Sequence, residues 1–468
     1  MRLSHVRTFF SIILPIVAAW SVAHAGEPKN DGGRQKHIFM GPAPTHAFDI
    51  ILARPTDTSI TASVLAYDDM DAFISFGTDK EKLAAKTDVK SLKPETPTEF
   101  VLKDLKPDTQ YYYMLHTKHA KSAAFVAGNE NTFHTQRKPG GSFVFTVQSD
   151  SHLDQSTKAD VLEKTLANVL SGQPDFHIDL GDTFMNDKYP NYKESYQQYI
   201  AQRYYLGLVG HSAPIFMVLG NHDGERLDRF NSTLDCMPVW SCLNRKKFFP
   251  NPYPDSFYTG NKSEIKPVGR LESYYAFEWG DAQIIVLDPF WWTNKRGGNK
   301  GDNWTSTLGQ EQYQWLEKTL AASKAKFKFV FLHHLVGGLD ESQRGGAEAA
   351  VLYEWGGKGK TGVDEFKTKR PGWEMPIHQL LLKHKVNVVF HGHDHFFAKQ
   401  DLDGITYLMV PQPGHPGFDR LRNADEYGYK TGDFLPPSGH IRVTVSGDKT
   451  LVEYIKASKI AYSFSIPK

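Results

Sequence analysis

The sequence predicts a small all-β sandwich followed by a layered α/β sandwich. Three observations lead there. Residues 37–136 hold short β-rich runs between turn residues, with no helical period. From residue 142 onward, apolar β-branched or aromatic runs alternate with stretches of helical spacing. Between the two lies Lys138-Pro139-Gly140-Gly141, which reads as a linker. The chain has 468 residues, 40% hydrophobic and 23% charged, a balance that argues against both disorder and a polytopic membrane fold.

In chain order, residues 1–25 read as a secretory signal peptide. Arg2 and Arg7 precede an apolar stretch holding Pro15, and Ala23-His24-Ala25 forms a small-x-small cleavage site. The apolar run is too short for a membrane anchor, so no membrane span is expected after cleavage, and a secreted or periplasmic location follows. In the first unit the expected strands are 47–53, 59–67, 72–77, 98–102, 111–117 and 131–135. Leu105-x-Pro107-x-Thr109-x-Tyr111 places a tyrosine where a sandwich corner can bond it back to the upstream backbone. In the second unit, spanning 142–460, the expected strands are 143–148, 176–180, 215–219, 284–287, 327–332 and 386–390. Helices are expected over 158–170 and 310–322, and a third from Pro376, a favoured first-turn residue. Segments 224–272, 289–308 and 336–375 are long and poorly periodic, and loops of such length in a compact domain are usually functional.

Charge and cysteine count narrow the chemistry. Lys plus Arg number 54 against 53 Asp plus Glu, a formal charge of +1, too little basic excess for non-specific binding to a phosphate backbone. No obligate nucleic-acid partner is expected. Two cysteines make neither a disulfide framework nor a thiolate zinc site, so a metal here must use His, Asp, Glu or Asn, and 20 His are present. Cys236 and Cys242 enclose five residues and are expected to form a disulfide in a secreted chain.

Five of the six strand candidates of the second unit run into residues that metals favour: Asp150 and His152; Asp182; Asn221, His222 and Asp223; His333 and His334; and His393 and His395. Open α/β sheets bind ligands beyond the carboxyl ends of their strands, so these groups converge if the strands are neighbours. Each is unremarkable singly, since turn residues follow strands everywhere; five together point to a site. Imidazoles among the donors suit Mn, Fe, Co, Ni or Zn rather than Mg or Ca.

In order, Asp150-x-His152, Gly181-Asp182, Gly220-Asn221-His222-Asp223, His333 and Gly392-His393-x-His395 resemble the motif set of the calcineurin-like metallophosphoesterases. Residues 37–136 resemble fibronectin type III modules and the amino-terminal domain of purple acid phosphatases, and 273–288 is similar to the strand pair before that family's fourth motif. The resemblance implies a four-layer α/β metallophosphoesterase sandwich. It also implies two divalent ions, one held by Asp150, His152 and His395, the other by Asn221, His333 and His393, with Asp182 bridging. Whether His333 or His334 binds metal stays open on the residues alone. A metal-bound hydroxide would then attack phosphorus, with His222 at the leaving oxygen and Asp223 orienting it. Met185 stands where the purple enzymes carry a tyrosine ligand, so ferric-tyrosinate chemistry is not implied.

The long segments supply candidate contacts to a small phosphoester. Arg344 and Arg370 are candidate phosphate clamps, and Trp355 and Trp373 candidate stacking surfaces. The expectation is a secreted phosphatase or phosphodiesterase. Its rival is a non-catalytic binding or adhesion protein on a degenerate hydrolase scaffold.

Overall fold

The computed structural model describes residues 38–231, 233–295, 302–338, 344–417, 421 and 423–467, and the expected signal peptide lies outside them. Of the first unit, strands Phe48–Ala53, Ile60–Ala66 and Thr98–Leu102 form one antiparallel sheet. Met70–Gly77, Gln110–His119 and Val126–His134 form most of the second, with the short strands Ala85–Lys86 and Lys90–Leu92 at its edge. Met70–Gly77 buries every second residue, as a half-covered strand must. Ile50, Leu52, Val64, Ile74, Phe100 and Leu115 fill the space between the sheets. The Lys106 amide donates to the Tyr111 hydroxyl at 2.8 Å, closing the corner that the sequence marks.

Beyond the linker two large sheets pack face to face. One has the order Ile215–Met217, Phe176–Asp179, Phe143–Gln148, His440–Ser446, Lys449–Lys456 and Lys459–Pro467, its first three strands parallel. The other has eight strands, centred on the parallel run Ala282–Val286, Phe327–Phe331, Val388–His391 and Ile405–Met409. Phenylalanines join them: Phe145 stacks on Phe176 at 5.2 Å and meets Phe331 of the opposite sheet edge-on at 6.0 Å. Helices Ala159–Ser171 and Tyr196–Gly210 cover the outer face of the first sheet, and Gln310–Ala322 and Ile377–Lys383 that of the second. These are the four layers. No helix among the described residues is long and apolar enough to cross a membrane.

Helix Tyr196–Gly210 was not expected. Its apolar residues follow no single stripe, because it is buried on several sides, and Gln198, Gln202 and Arg203 are themselves fully covered. Arg203 donates to Ser63 Oγ and Phe248 O through Nη1, and to Ser63 O and Asp49 O through Nη2. One guanidinium thus ties the front sandwich to the helix, and residues 37–468 form one compact unit. A second correction concerns the cysteines. Cys236 precedes helix Met237–Phe248 and Cys242 lies within it; both are buried free thiols. Six residues of helix separate their backbones by roughly 9 Å, beyond the ~7 Å that a disulfide spans.

Replacing Arg203 with Met should leave the Ser63, Asp49 and Phe248 carbonyls without their charged donor in a buried setting. Urea denaturation is expected to show a loss of about 3 kcal/mol or more, and a loss under about 1 kcal/mol would mean that the junction is held by packing alone.

Candidate metal centre

The strand ends of both sheets meet at one rim, and the backbone there is bent hard. Asp150, His152, Asp182, His393 and His395 all have positive φ, between 47° and 81°. For residues with a Cβ this costs on the order of 1 kcal/mol each, and it persists where the surroundings over-determine it. Two glycines make the approach possible. A Cβ on Gly220 would overlap the amide nitrogen of Asp182, and one on Gly392 would overlap the Ser149 hydroxyl. Gly392 follows a strand of one sheet and Ser149 a strand of the other, so here the backbone of one sheet lies against side chains of the other.

Two groups of donors result: Asp150, His152 and His395, and Asp182, His333 and His393, the atoms of each within 4.8 Å of one another. Asp150 Oδ2 is fixed by the Ser149 hydroxyl at 2.6 Å and the His393 amide at 2.8 Å. Its Oδ1 faces His395 Nε2 at 3.4 Å, His152 Nε2 at 3.5 Å and His333 Nε2 at 3.8 Å. Asp182 Oδ1 accepts the His222 amide at 2.7 Å, which turns Oδ2 toward His333 Nε2 at 3.2 Å and His152 Nε2 at 3.9 Å. Asp182 therefore looks into both groups.

Whether cations fit can be read from the unsatisfied atoms. Asp150 Oδ1, His152 Nε2, His333 Nε2 and both side-chain atoms of Asn221 are buried and carry no hydrogen bond. Leaving that many polar atoms unpaired at one place is costly unless they share another partner. The imidazole and carboxylate set suits two divalent transition ions, whose +4 the two carboxylates reduce to about +2.

Electrostatics sets His152 and His333 apart from His393. Burial disfavours a charged His152, yet Asp150 and Asp154 outweigh it and push its imidazole up to about 10. For His333 burial is likewise overcome, by Asp182 and Asp150, which push it up to about 9. Burial and the Arg344 guanidinium instead hold His393 well below its ordinary range. Buried His333 donates Nδ1–H to the Leu180 carbonyl, 2.9 Å away, leaving Nε2 for the centre. His334 turns its Nδ1 to the Leu335 carbonyl and lines a small cavity with Asn221, Arg226 and Phe290. Of the two, His333 stands in the donor group.

The surrounding residues depart from expectation in several places. His222 sits at the rim, its Nε2 4.0 Å from Asp182 Oδ2, but its Nδ1 pairs with Asp187 Oδ1 at 2.7 Å rather than with Asp223. Asp223 accepts the amides of Gly220, Asp182, Thr183 and Phe184, and so knots the two loops together; burial and Asp182 push it up to about 7. Asp187 was missed, since nothing in its sequence surroundings marks a partner 35 residues away. Arg344 reaches the centre: Nη2 lies 2.8 Å from His393 Nε2, Nε 3.0 Å from Asp394 Oδ1, and the guanidinium lies over the Tyr427 ring. Arg370 does not serve as a clamp. It is spent on Glu354 at 2.5 Å and on the Trp304 and Ser306 carbonyls, pinning loops together. Trp355 is fully buried with its Nε1 on the Tyr407 hydroxyl, and Trp373 is stacked on Tyr313 at 4.0 Å, so neither offers a face to a substrate. Large loops need cores of their own, and these rings supply one.

Comparison with known proteins places this geometry. A model of the calcineurin-like phosphoesterase family matches residues 143–397. No curated protein sequence matches the chain. Among solved structures, purple acid phosphatase PPD1 from yellow lupin (Lupinus luteus) seeds is similar in fold, with a TM-score of 0.60 and 18% identity over 90% of this chain and 74% of that one. PhoD is similar with a TM-score of 0.61 and 15% identity over 91% and 90%.

Because Asp182 faces both groups, Asp182→Ala should lower metal content from about two ions per chain to well below one, measured by elemental analysis of protein dialysed against the metal. Retention of two ions would assign the bridge elsewhere. Met185 is buried and has no phenol, so iron-loaded parent protein is expected to show no purple absorption band in the visible spectrum; a strong band would require another tyrosine at the metal.

Proposed function

The chain belongs to the calcineurin-like phosphoesterases, hydrolases of phosphoester bonds, and on that premise we propose that it is an exported phosphatase acting on small phosphate esters. In this reading Asp150, His152 and His395 hold one divalent ion, Asn221, His333 and His393 the other, and Asp182 both. The observation that carries it is the facing of Asp182 Oδ2 and Asp150 Oδ1 into imidazole groups whose Nε2 atoms have no other bond. The signal-like residues 1–25 support export, and the likeness in fold to a purple acid phosphatase favours a phosphatase. When bound, the ions supply Lewis acidity toward the phosphoryl group and lower the pKa of a water to roughly 7.

The protein's own residues do the rest. Arg344, partly exposed beside His393, donates to a non-bridging oxygen and orients the ester. His222 presents Nε2 to the leaving oxygen while Asp187 holds Nδ1–H and so fixes the ring in that orientation. Arg226 Nη1, 3.6 Å from the other Asp187 oxygen, keeps that carboxylate in place. Asp223 acts through the loops that it knots, not through His222.

Turnover of mono- and diesters by the mature protein with Mn, Fe, Co, Ni or Zn, before and after chelation, tests the reading. Chelation should abolish hydrolysis and added metal restore it; full activity in metal-free protein, or metal bound without turnover of any ester, would reject it. His222→Ala is expected to keep its metals yet slow alkyl esters by about 10²-fold or more, and nitrophenyl esters far less, because a good leaving group needs little protonation. Asp187→Asn should show the same selectivity more weakly. Equal losses for both ester types would remove His222 from the proton-transfer role.

A further inference from the structure

We infer that Asp154 is a positioning residue for the first donor group: it fixes the ring and tautomer of His152, so that Nε2 and not Nδ1 is offered to a metal. The inference rests on the metal-centre reading above. His152 Nδ1 lies 3.4 Å from Asp154 Oδ2, on the side of the ring away from Asp150, while Nε2 points at Asp150 Oδ1. The carboxylate is itself held, since its Oδ1 accepts the Ser156 amide at 2.8 Å and the Ser156 hydroxyl at 2.6 Å. The turn it closes is strained: His152 and Leu153 both have positive φ, 47° and 52°. Gln198, from helix Tyr196–Gly210, grips the backbone by donating to the His152 carbonyl. Backbone and ring edge are therefore clamped separately, one by an amide and one by a carboxylate.

Among the described residues no other imidazole of the two groups has such a partner. His333 has a neutral carbonyl behind it, His393 has the Arg344 guanidinium, and only the Asp150 carboxylate lies within 4 Å of His395. A carboxylate behind a ligating imidazole sets its orientation and raises its basicity, and such a partner typically adds 10- to 100-fold to metal affinity. Asp154 would add a negative charge to one site only, while Arg344 places a positive one beside the other. The spacing Asp150-x-His152-x-Asp154 carries this arrangement in the sequence itself.

The test is cobalt titration of chelator-stripped full-length protein, followed by visible absorbance and calorimetry, in the parent, Asp154→Asn, Asp154→Leu and Ser156→Ala. The parent should bind two ions. Asp154→Leu should weaken one of them by about 100-fold and shift its absorption band, leaving the other within about threefold; Asp154→Asn, which keeps an acceptor for Nδ1–H but no charge, should fall about 10-fold. Ser156→Ala removes the hydroxyl that bonds Asp154 Oδ1 and lies 3.5 Å from His152 Nδ1, but keeps the residue-156 amide bond and the charge of the carboxylate; it should weaken the same ion by no more than about threefold, so loss of a turn contact is told apart from loss of the carboxylate. Parental affinity in Asp154→Leu, equal weakening of both ions, or equal weakening in Ser156→Ala would overturn the inference. A parent that binds no pair of ions would overturn the metal-centre reading itself, and this inference with it.

Discussion

The contact on which the rest of the structure depends is the close approach of the Gly392 backbone to Ser149 across the two sheets, beside that of Gly220 to the Asp182 backbone within one of them. Two sheets packed through a phenylalanine core would ordinarily keep their strand ends about 10 Å apart, too far for side chains of both to share a small ion. Here the loops leaving the strands fold inward until only glycine fits, and five residues with side chains accept left-handed backbone to follow. The strain is local. What over-determines it is Asp223, whose two oxygens take four amides from both neighbouring loops, and Asp150, whose Oδ2 reaches across to the His393 amide of the opposite sheet.

That rim needs support from outside, and helix Tyr196–Gly210 gives it. One helix carries Gln198 and Gln202, which hold the His152 and Thr183 carbonyls and the Ser151 hydroxyl, and also Arg203, which grips the front sandwich. The sandwich therefore braces the helix that braces the metal loop, a mechanical link between the two halves of the chain. The same multiplicity of contacts explains why this helix has no apolar stripe. Its polar residues are not a solvated face but buried donors aimed at loop carbonyls, so the period that announces a surface helix is absent.

What could be read in advance follows from this. The strands of the parallel sheets are short apolar runs, and the residues at their ends differ so sharply in type that Asp150, Asp182, Asn221, His333 and His393 stand out without coordinates. The Tyr111 corner was legible because its geometry is contained within six residues. His440–Ser446 largely alternates buried and half-buried residues, a strand pattern legible in the sequence although it lies beyond the last motif. The partners of His222, Arg370, Trp355 and Trp373 were not legible. Each is set by which distant loop arrives beside it, and a tryptophan or arginine in a long irregular segment reads the same whether it faces a substrate or a neighbouring loop. The cysteine pair is illegible for a related reason: the segment around it lacks a clear helical period, yet a helix there holds the thiols apart.

The distribution of charge around the centre is uneven, and the unevenness bears on where an anion can lie. Behind the Asp150, His152 and His395 group stands a further carboxylate, Asp154. Beside the Asp182, His333 and His393 group stand Arg344 and, across Asp187, Arg226. A unit charge at about 4 Å is worth around 4 kcal/mol at the effective dielectric of a protein surface, but Arg344 is paired with Asp394 and Arg226 with Asp187 and Asp228, so the pull on an anion comes from the donors of Arg344 that Asp394 does not take. The favourable side is also the one that holds His222 and the small cavity walled by Asn221, Phe290 and His334. On the function proposed above, an ester drawn to Arg344 would arrive with its leaving oxygen on the side where His222, a histidine outside both donor groups, can reach it. Orientation follows from charge placement, and the chain needs no tryptophan wall to provide it.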